Sequence, residues 1–112
     1  MATSDDASLL VQLAQWGATM GIEDATGTVF GDDFDPATAD ANDDAVRKIL
    51  YFGETVGTLV KNDLLDRGLV LDWLWAAGMW ERVGPAAVRA RERFGEPALY
   101  ENYEALAEAQ SG

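Results

Sequence analysis

The chain has 112 residues, a length that fits one domain with a single core, and 48% of them are hydrophobic, which indicates a folded protein. It contains no cysteine and no histidine, so disulfide frameworks, thiolate chemistry, histidine-based triads and histidine zinc sites are excluded. The net charge of −12, from 20 acidic and 8 basic residues, disfavours direct binding of nucleic acid, which needs clustered lysine and arginine.

The charge is unevenly distributed along the chain. Ten acidic residues and no basic residue precede Arg47. The chain from Arg47 onward contains ten acidic and eight basic residues. Such acidity suits a salt-adapted cytosol, so a halophilic origin is one hypothesis. The first ten residues lack the basic region of a signal peptide, and no apolar run reaches the roughly 20 residues of a membrane span. We therefore expect a cytoplasmic protein that does not enter the membrane.

A first helix is predicted over residues 1–22. Its apolar residues recur at helical spacing: Leu9, Leu13, Trp16 and Met20. Ser4 is expected to cap its N-terminus, with the acidic side chains of Asp5 and Asp6 placed favourably in the first turn.

A long acidic loop is predicted over residues 23–42, because glycines, Pro36 and many acids interrupt the helical pattern. At most one short helical turn is expected near Val29, Phe30 and Phe34, and Asp35-Pro36 has the pattern of a helix start. A loop of this length in a small domain is either functional or mobile. The loop and the residues after it form a candidate acidic surface: Asp32, Asp33, Asp35, Asp40, Asp43 and Asp44.

The acids also invite comparison with a calcium-binding loop. Asp40, Asn42 and Asp44 match the first three ligand positions of an EF-hand. Ala45 stands where the motif requires glycine, and Tyr51 stands where it requires a bidentate glutamate, so the match fails. No metal or cofactor site is predicted; a weak cation site among the loop acids remains the alternative to a solvated surface.

The next helix is predicted from Asp43 or Asp44 to Lys61. Its apolar face carries Gly53 and Gly57, four residues apart, and each glycine costs about 1 kcal/mol relative to alanine within a helix. We expect another helix to pack closely against this notch. Glu54 is interpreted as a partly buried pairing residue and not as a catalytic carboxylate.

A further helix is predicted to begin near Asp66 or Arg67 and to continue to Val83. On one continuous helix, Leu69, Trp73, Ala76, Ala77 and Trp80 would form one apolar face, and Leu71, Trp75 and Met79 another. A chain this short has difficulty covering both faces, which favours a homodimer with a twofold axis. The candidate interface residues are Leu71, Trp73, Trp75, Met79 and Trp80. An aromatic ligand pocket lined by the tryptophans is the alternative.

Gly84-Pro85 is expected to kink or restart this helix. Beyond it, Arg82, Arg89 and Arg93 are predicted to align and either to bind an anion or to pair with the protein's own carboxylates. Pro97 precedes a last helix, and the tail after Ala109 is expected to fray. The predicted fold is a single all-α domain over residues 1–112, a small bundle of four to five helices in which 43–112 form a helical hairpin and the C-terminal helices.

Three sequence segments resemble one known family. They are YFGETVGTLVKNDLLD from Tyr51, the Trp80–Arg82 triplet followed by Pro85, and RERFGEPALYENYEALAE from Arg91. In this order they resemble domain of unknown function family 4760 over residues 44–108. The resemblance implies an all-helical fold and supplies no activity or catalytic residue. Gly53 stands where the family pattern has an aromatic residue, so a local difference in packing is expected there.

Three functions remain open from the sequence. The first is a non-enzymatic helical protein that acts through protein–protein contacts as a homodimer. The second is an acidic regulator or decoy that occupies a basic protein surface. The third is a small-molecule-binding module with a Trp-lined pocket. A carboxylate-based enzyme is disfavoured, because no spacing places Glu54, Asp72 or Glu81 as an acid–base pair, and no catalytic residue is predicted.

Overall fold

The computed structural model describes all 112 residues. Its helices form where apolar residues recur at helical spacing. The helices are α1 Ser4–Met20, α2 Ile22–Val29, α3 Asp44–Lys61, α4 Arg67–Trp73, α5 Ala76–Phe94 and α6 Glu101–Ser111. They comprise 71% of the residues, and no strand is present. The predicted all-α fold is confirmed, with six helices where four to five were expected.

The first helix begins at Ser4, and its cap lies one residue before the predicted one. Thr3 is the N-cap: its hydroxyl accepts a hydrogen bond from the Asp6 N–H (3.2 Å), and the Asp6 carboxylate accepts one from the Thr3 N–H (2.7 Å). This reciprocal pair is a capping box. The assignment of Ser4 as the cap was wrong, because Ser4 already has helical geometry. The helix ends at Gly21, whose positive φ of 84° suits glycine.

The segment expected as a loop over 23–42 begins with a two-turn helix, α2. Ala25 and Val29 lie on its buried face, at 4% and 0% exposure. Gly27 faces open space, so the glycine that suggested a loop lies on the solvent side of the helix. The Thr26 hydroxyl donates to the Ile22 carbonyl at 2.8 Å. The irregular connection therefore covers only residues 30–43.

Arginine side chains from α5 fasten this connection to the fold. Arg82 donates through Nε to the Val29 carbonyl at 2.6 Å and through Nη2 to the Phe34 carbonyl at 3.3 Å. Arg89 donates to the Pro36 carbonyl at 2.9 Å. The predicted alignment of the arginines is present, but Arg82 and Arg89 satisfy backbone carbonyls instead of the carboxylates proposed as their partners.

The centre of the core is α3, as its period predicted. Its most buried side chains are Val46, Ile49, Leu50 and Val56. The glycine notch receives α6: a methyl group at Gly53 would lie 2.5 Å from Tyr103 Cε2, and one at Gly57 would lie 2.5 Å from the Asn102 carbonyl oxygen. The predicted close approach of another helix is confirmed. The Tyr103 ring occupies the space over Gly53.

Glu54 caps the last helix from a distance. Tyr100, the N-cap of α6, has a positive φ of 61° and provides no side-chain cap. The Glu54 carboxylate accepts hydrogen bonds from the backbone N–H groups of Asn102 (2.9 Å) and Tyr103 (3.0 Å) and from the Asn102 side-chain amide (2.8 Å). A negative group here complements the positive end of the helix dipole. These hydrogen bonds therefore connect two of the segments that resemble the known family, one containing Glu54 and the other containing Asn102.

The helix predicted to run from Asp66 to Val83 is broken in the middle. Asp66 does cap its start, accepting from the Leu69 N–H at 2.9 Å, but Leu74 is extended (φ −109°, ψ 136°) and separates α4 from α5. The Gln110 side chain satisfies the broken ends: it donates to the Leu71 and Leu74 carbonyls (3.0 and 2.8 Å) and accepts from the Ala77 N–H (2.8 Å).

Two further sequence predictions change with this arrangement. Pro85 lies inside α5, which continues from Ala76 to Phe94 without a fresh start. The face after the proline is buried through small side chains, Ala86, Ala87 and Ala90, and this packing outweighs the lost hydrogen bond. At the other end of the chain, α6 extends to Ser111, and fraying of the tail stays a prediction.

Candidate functional site: a Trp-lined pocket

The clearest concave feature is an apolar pocket of about 200 Å³ between α2, α3 and the α4–α5 junction. Ten of its twelve lining residues are hydrophobic. Its aromatic residues are Phe30, Phe52, Trp73, Trp75 and Tyr103, and we call it the Trp-lined pocket. These side chains come from every helix around it, so the pocket exists only in the assembled fold.

The rim of the pocket is formed by Phe30 and Trp75. Their rings are stacked, with centroids 5.7 Å apart and planes 4° apart. Trp75 remains 65% exposed and Phe30 40% exposed. The Trp75 ring lies directly over Gly78, where a methyl group would stand 2.5 Å from its Cζ2 atom. The Arg82 guanidinium lies 5.9 Å from the Phe30 ring centroid. The same group donates to the Val29 and Phe34 carbonyls.

The deeper part of the pocket is built from buried rings. Phe52, 5% exposed, meets Trp73 edge to face with ring centroids 6.0 Å apart. Tyr103, 4% exposed, meets Trp80 edge to face at 5.6 Å. Edge-to-face pairs hold rings in defined orientations. This part of the lining is therefore preformed.

Few polar groups reach the pocket, and none of the lining residues is charged at neutral pH. The Thr26 hydroxyl is already committed to the Ile22 carbonyl. The Tyr103 hydroxyl has no hydrogen-bond partner in the protein, and burial raises the pKa of Tyr103 far above its usual value of 10.0. The phenol therefore stays protonated at physiological pH and is available as a donor.

The five candidate interface residues do not form one exposed face. Because the helix breaks at Leu74, Trp75 alone among them is exposed, while Leu71, Trp73, Met79 and Trp80 are half-buried. Trp80 lies over Gly84, where a methyl group would stand 2.7 Å from its Nε1 atom. The prediction of one helix with two apolar faces was wrong, because the break at Leu74 divides the residues of each face between α4 and α5.

The candidate acidic surface is partly used by the fold. Asp40 accepts a hydrogen bond from the Asn42 N–H (2.8 Å) and pairs with Arg93 (3.2 Å). Asp43 accepts from the Asp40 N–H at 2.9 Å. Asp32 and Asp33, earlier in the loop, are exposed.

Two more of these acids have local roles. Asp35 accepts a hydrogen bond from the Ala37 N–H (2.9 Å), which closes a turn where Asp35-Pro36 was expected to start a helix. Asp44, at the start of α3, pairs with Lys48 at 3.0 Å. Binding of a basic partner to this surface stays a prediction.

No group of three or more acidic side chains is close enough together to hold a metal ion. None of the six helices combines the length and the apolar character needed to cross a membrane.

Two residues that shape the site were missed in the sequence. Gln110 holds the α4–α5 junction that carries Trp75, and Glu54 fixes the start of α6 next to Tyr103. A signal for Glu54 was present, since it lies between Gly53 and Gly57, the two glycines of the notch, in the same helix. No local pattern identifies Gln110, because its partners are more than 30 residues away.

Comparison with known proteins gives one match. The family described as Domain of unknown function (DUF4760) matches residues 2–110, a longer range than the 44–108 over which the sequence segments suggested it. No curated protein and no solved structure shows a significant match.

Proposed function

We propose that this chain, which belongs to the DUF4760 family, is a non-enzymatic binding module that takes a small apolar ligand into the Trp-lined pocket. The observation that carries the proposal is the preformed aromatic lining beneath an exposed rim. Exposed large aromatic rings lose their contact with water when a ligand covers them, so binding gains hydrophobic free energy.

The size of the pocket sets the size of the ligand. Pockets for drug-sized molecules measure roughly 300–1,000 Å³, and an apolar cavity of about 150 Å³ accommodates benzene. A volume of about 200 Å³ therefore suits a molecule of one ring or two fused rings. A longer ligand would extend past Trp75 into solvent.

The chemistry of the lining supports binding over catalysis. General acid–base catalysis needs a titratable group held near the reacting atoms. The lining contains no carboxylate and no basic residue, and the nearby Glu54 carboxylate is occupied by backbone N–H groups of α6. The only titratable side chain in the lining is Tyr103, which is neutral at physiological pH even at its ordinary pKa of 10.0, and burial raises that pKa further.

Titration of the ¹⁵N-labelled protein with toluene tests the proposal. The indole N–H signals of Trp73 and Trp75 should shift in a saturable manner. Truncation of the rim by Trp75→Ala should weaken affinity by about tenfold or more, as expected for the loss of a large aromatic contact. Phe94→Ala is the matched control, because Phe94 is 60% exposed and lies outside the pocket; it should leave the affinity unchanged.

A homodimer is the second candidate function, and the exposed rim favours it. Trp75, Phe30 and Arg82 are neighbours at the surface, and tryptophan and arginine are enriched among residues that dominate protein–protein binding. The net charge of −12 opposes association of two copies. Association should therefore strengthen as added salt screens this repulsion.

Light scattering coupled to size-exclusion chromatography distinguishes the two candidates. A dimer centred on the rim predicts twice the monomer mass in wild type and in Phe94→Ala, and the monomer mass in Trp75→Ala. A monomer at every salt concentration, together with saturable toluene binding, supports the ligand-binding module alone.

A further inference from the structure

We propose that the ligand of the Trp-lined pocket is a neutral one- or two-ring compound that accepts a hydrogen bond from the Tyr103 hydroxyl. This assignment rests on the binding function proposed above and adds the chemical class of the ligand. It depends on three features of the lining: its lack of charge, its volume and the Tyr103 hydroxyl, which makes no hydrogen bond within the protein.

The absence of charged side chains selects a neutral ligand. An ion that enters an apolar site loses its hydration, and the loss is severe unless a counter-ion replaces the water. The Arg82 guanidinium, 5.9 Å from the Phe30 ring centroid at the rim, donates to the Val29 and Phe34 carbonyls. An anion would also be repelled by the overall charge of −12.

The hydrogen-bond requirement comes from Tyr103. This residue lines the pocket at 4% exposure, and its hydroxyl has no acceptor within the protein. A ligand oxygen or nitrogen that reaches this hydroxyl can accept its hydrogen bond within an otherwise apolar lining, an interaction that a pure hydrocarbon lacks. The Thr26 hydroxyl cannot serve, because it donates to the Ile22 carbonyl.

Two probes of nearly equal shape isolate this interaction. Acetophenone carries a carbonyl acceptor on one ring, and α-methylstyrene replaces the oxygen with a CH₂ group. Transfer from water favours α-methylstyrene, because it has no carbonyl hydration to lose. The informative quantity is therefore the change in each affinity on Tyr103→Phe, and not the two wild-type affinities themselves.

The expected result is selective loss. Tyr103→Phe should weaken the affinity for acetophenone by about three- to tenfold. The affinity for α-methylstyrene should change by no more than about twofold. Tyr51→Phe is the matched control: Tyr51 is 59% exposed and lies outside the pocket, so neither affinity should change. Benzoate should bind at least about 100-fold more weakly than acetophenone, because its charge is not compensated.

The carbonyl stretch of bound acetophenone provides a second measurement on wild type alone. With a hydrogen bond from Tyr103, the stretch of the bound ¹³C-labelled carbonyl lies below its frequency in hexane. A stretch at the hexane frequency would overturn the assignment even if the Tyr103→Phe protein did not fold.

The outcomes separate this assignment from the proposed function. Saturable binding of both probes with equal responses to Tyr103→Phe contradicts the ligand class and leaves the binding module intact. Failure of both probes to bind wild type contradicts the binding module and the ligand class together. Preferential binding of benzoate contradicts the neutral class.

Discussion

The side-chain amide of Gln110 donates a hydrogen bond of 2.8 Å to the Leu74 carbonyl. It therefore joins the end of α6 to the break that places Trp75 at the rim of the Trp-lined pocket. The same amide accepts from the Ala77 N–H, so one side chain satisfies the C-terminal end of α4 and the N-terminal end of α5. Helix ends without such partners are unfavourable when they are partly buried.

Replacement of Gln110 by alanine should lower the free energy of unfolding by about 1–3 kcal/mol, because three backbone groups lose their partner. Urea denaturation measures this change, and hydrogen exchange at the Ala77 amide should accelerate more than exchange in α3. Gln12→Ala, at an exposed position of α1, is the control. Equal stability of the two variants would contradict a capping role for Gln110.

The remote cap of α6 makes a second prediction. Glu54→Gln retains one carbonyl acceptor but loses the charge and the second carboxylate oxygen, so stability should fall by about 1 kcal/mol. Glu54→Ala removes both acceptors and should cost about 2 kcal/mol. Glu81→Gln, on the exposed surface of α5, should be neutral in the same thermal or urea measurement. A neutral Glu54→Ala would show that α6 does not depend on this cap.

The glycine notch predicts opposite effects for the same substitution at two helical sites. Gly57→Ala should destabilise by about 1–3 kcal/mol, since its methyl group would collide with the Asn102 backbone. Gly27→Ala should stabilise by about 0.5–1 kcal/mol, because Gly27 faces open space in α2 and alanine is the better helix former. Stabilisation of both variants would contradict the close approach of α3 and α6.

The acidic loop should lose an anchor in acid. The Asn42 N–H, and then Arg93, hold the pKa of Asp40 below its usual value of 3.8. Because the folded-state pKa is lowered, the Asp40 carboxylate stabilises the fold fully above its unfolded-state pKa, and this contribution disappears as the pH falls through the folded-state value. The stability advantage of wild type over Asp40→Asn should therefore be constant at neutral pH and shrink below about pH 4.

Urea denaturation of both proteins across this range measures the difference. The control Asp33→Asn removes an exposed carboxylate from the same loop and should show no comparable advantage of wild type at neutral pH. An Asp40→Asn protein as stable as wild type at neutral pH would mean that the pairing with Asn42 and Arg93 does not anchor the loop.

The sequence was informative where the determinants are local. The period of α3 predicted both its bounds and its glycine notch, because the packing partner only has to approach a face already defined within one helix. The α4–α5 break escaped prediction, because the residue that compensates it, Gln110, is 36 positions from Leu74. Continuous apolar spacing from Leu69 to Val83 then resembled a single helix.

The site was foreseen only in part for the same reason. A pocket lined by tryptophans was one of the open hypotheses, but the stacking of Phe30 on Trp75 joins residues 45 positions apart, and no local pattern reveals it. The two glycines around α2, Gly27 and Gly31, obscured its short apolar face. The position of Tyr103 over Gly53 depends on the fold of the whole chain.

Intermolecular nuclear Overhauser effects between acetophenone and the ¹³C-methyl-labelled protein test the central claim most directly. A ligand in the Trp-lined pocket predicts contacts from its ring protons to the Met79 and Ile49 methyl groups, which line the pocket. No contact is predicted to Val88, an exposed methyl-bearing residue outside it. Contacts to Val88 without contacts to Met79 or Ile49, or no contacts at saturating ligand, would contradict the account.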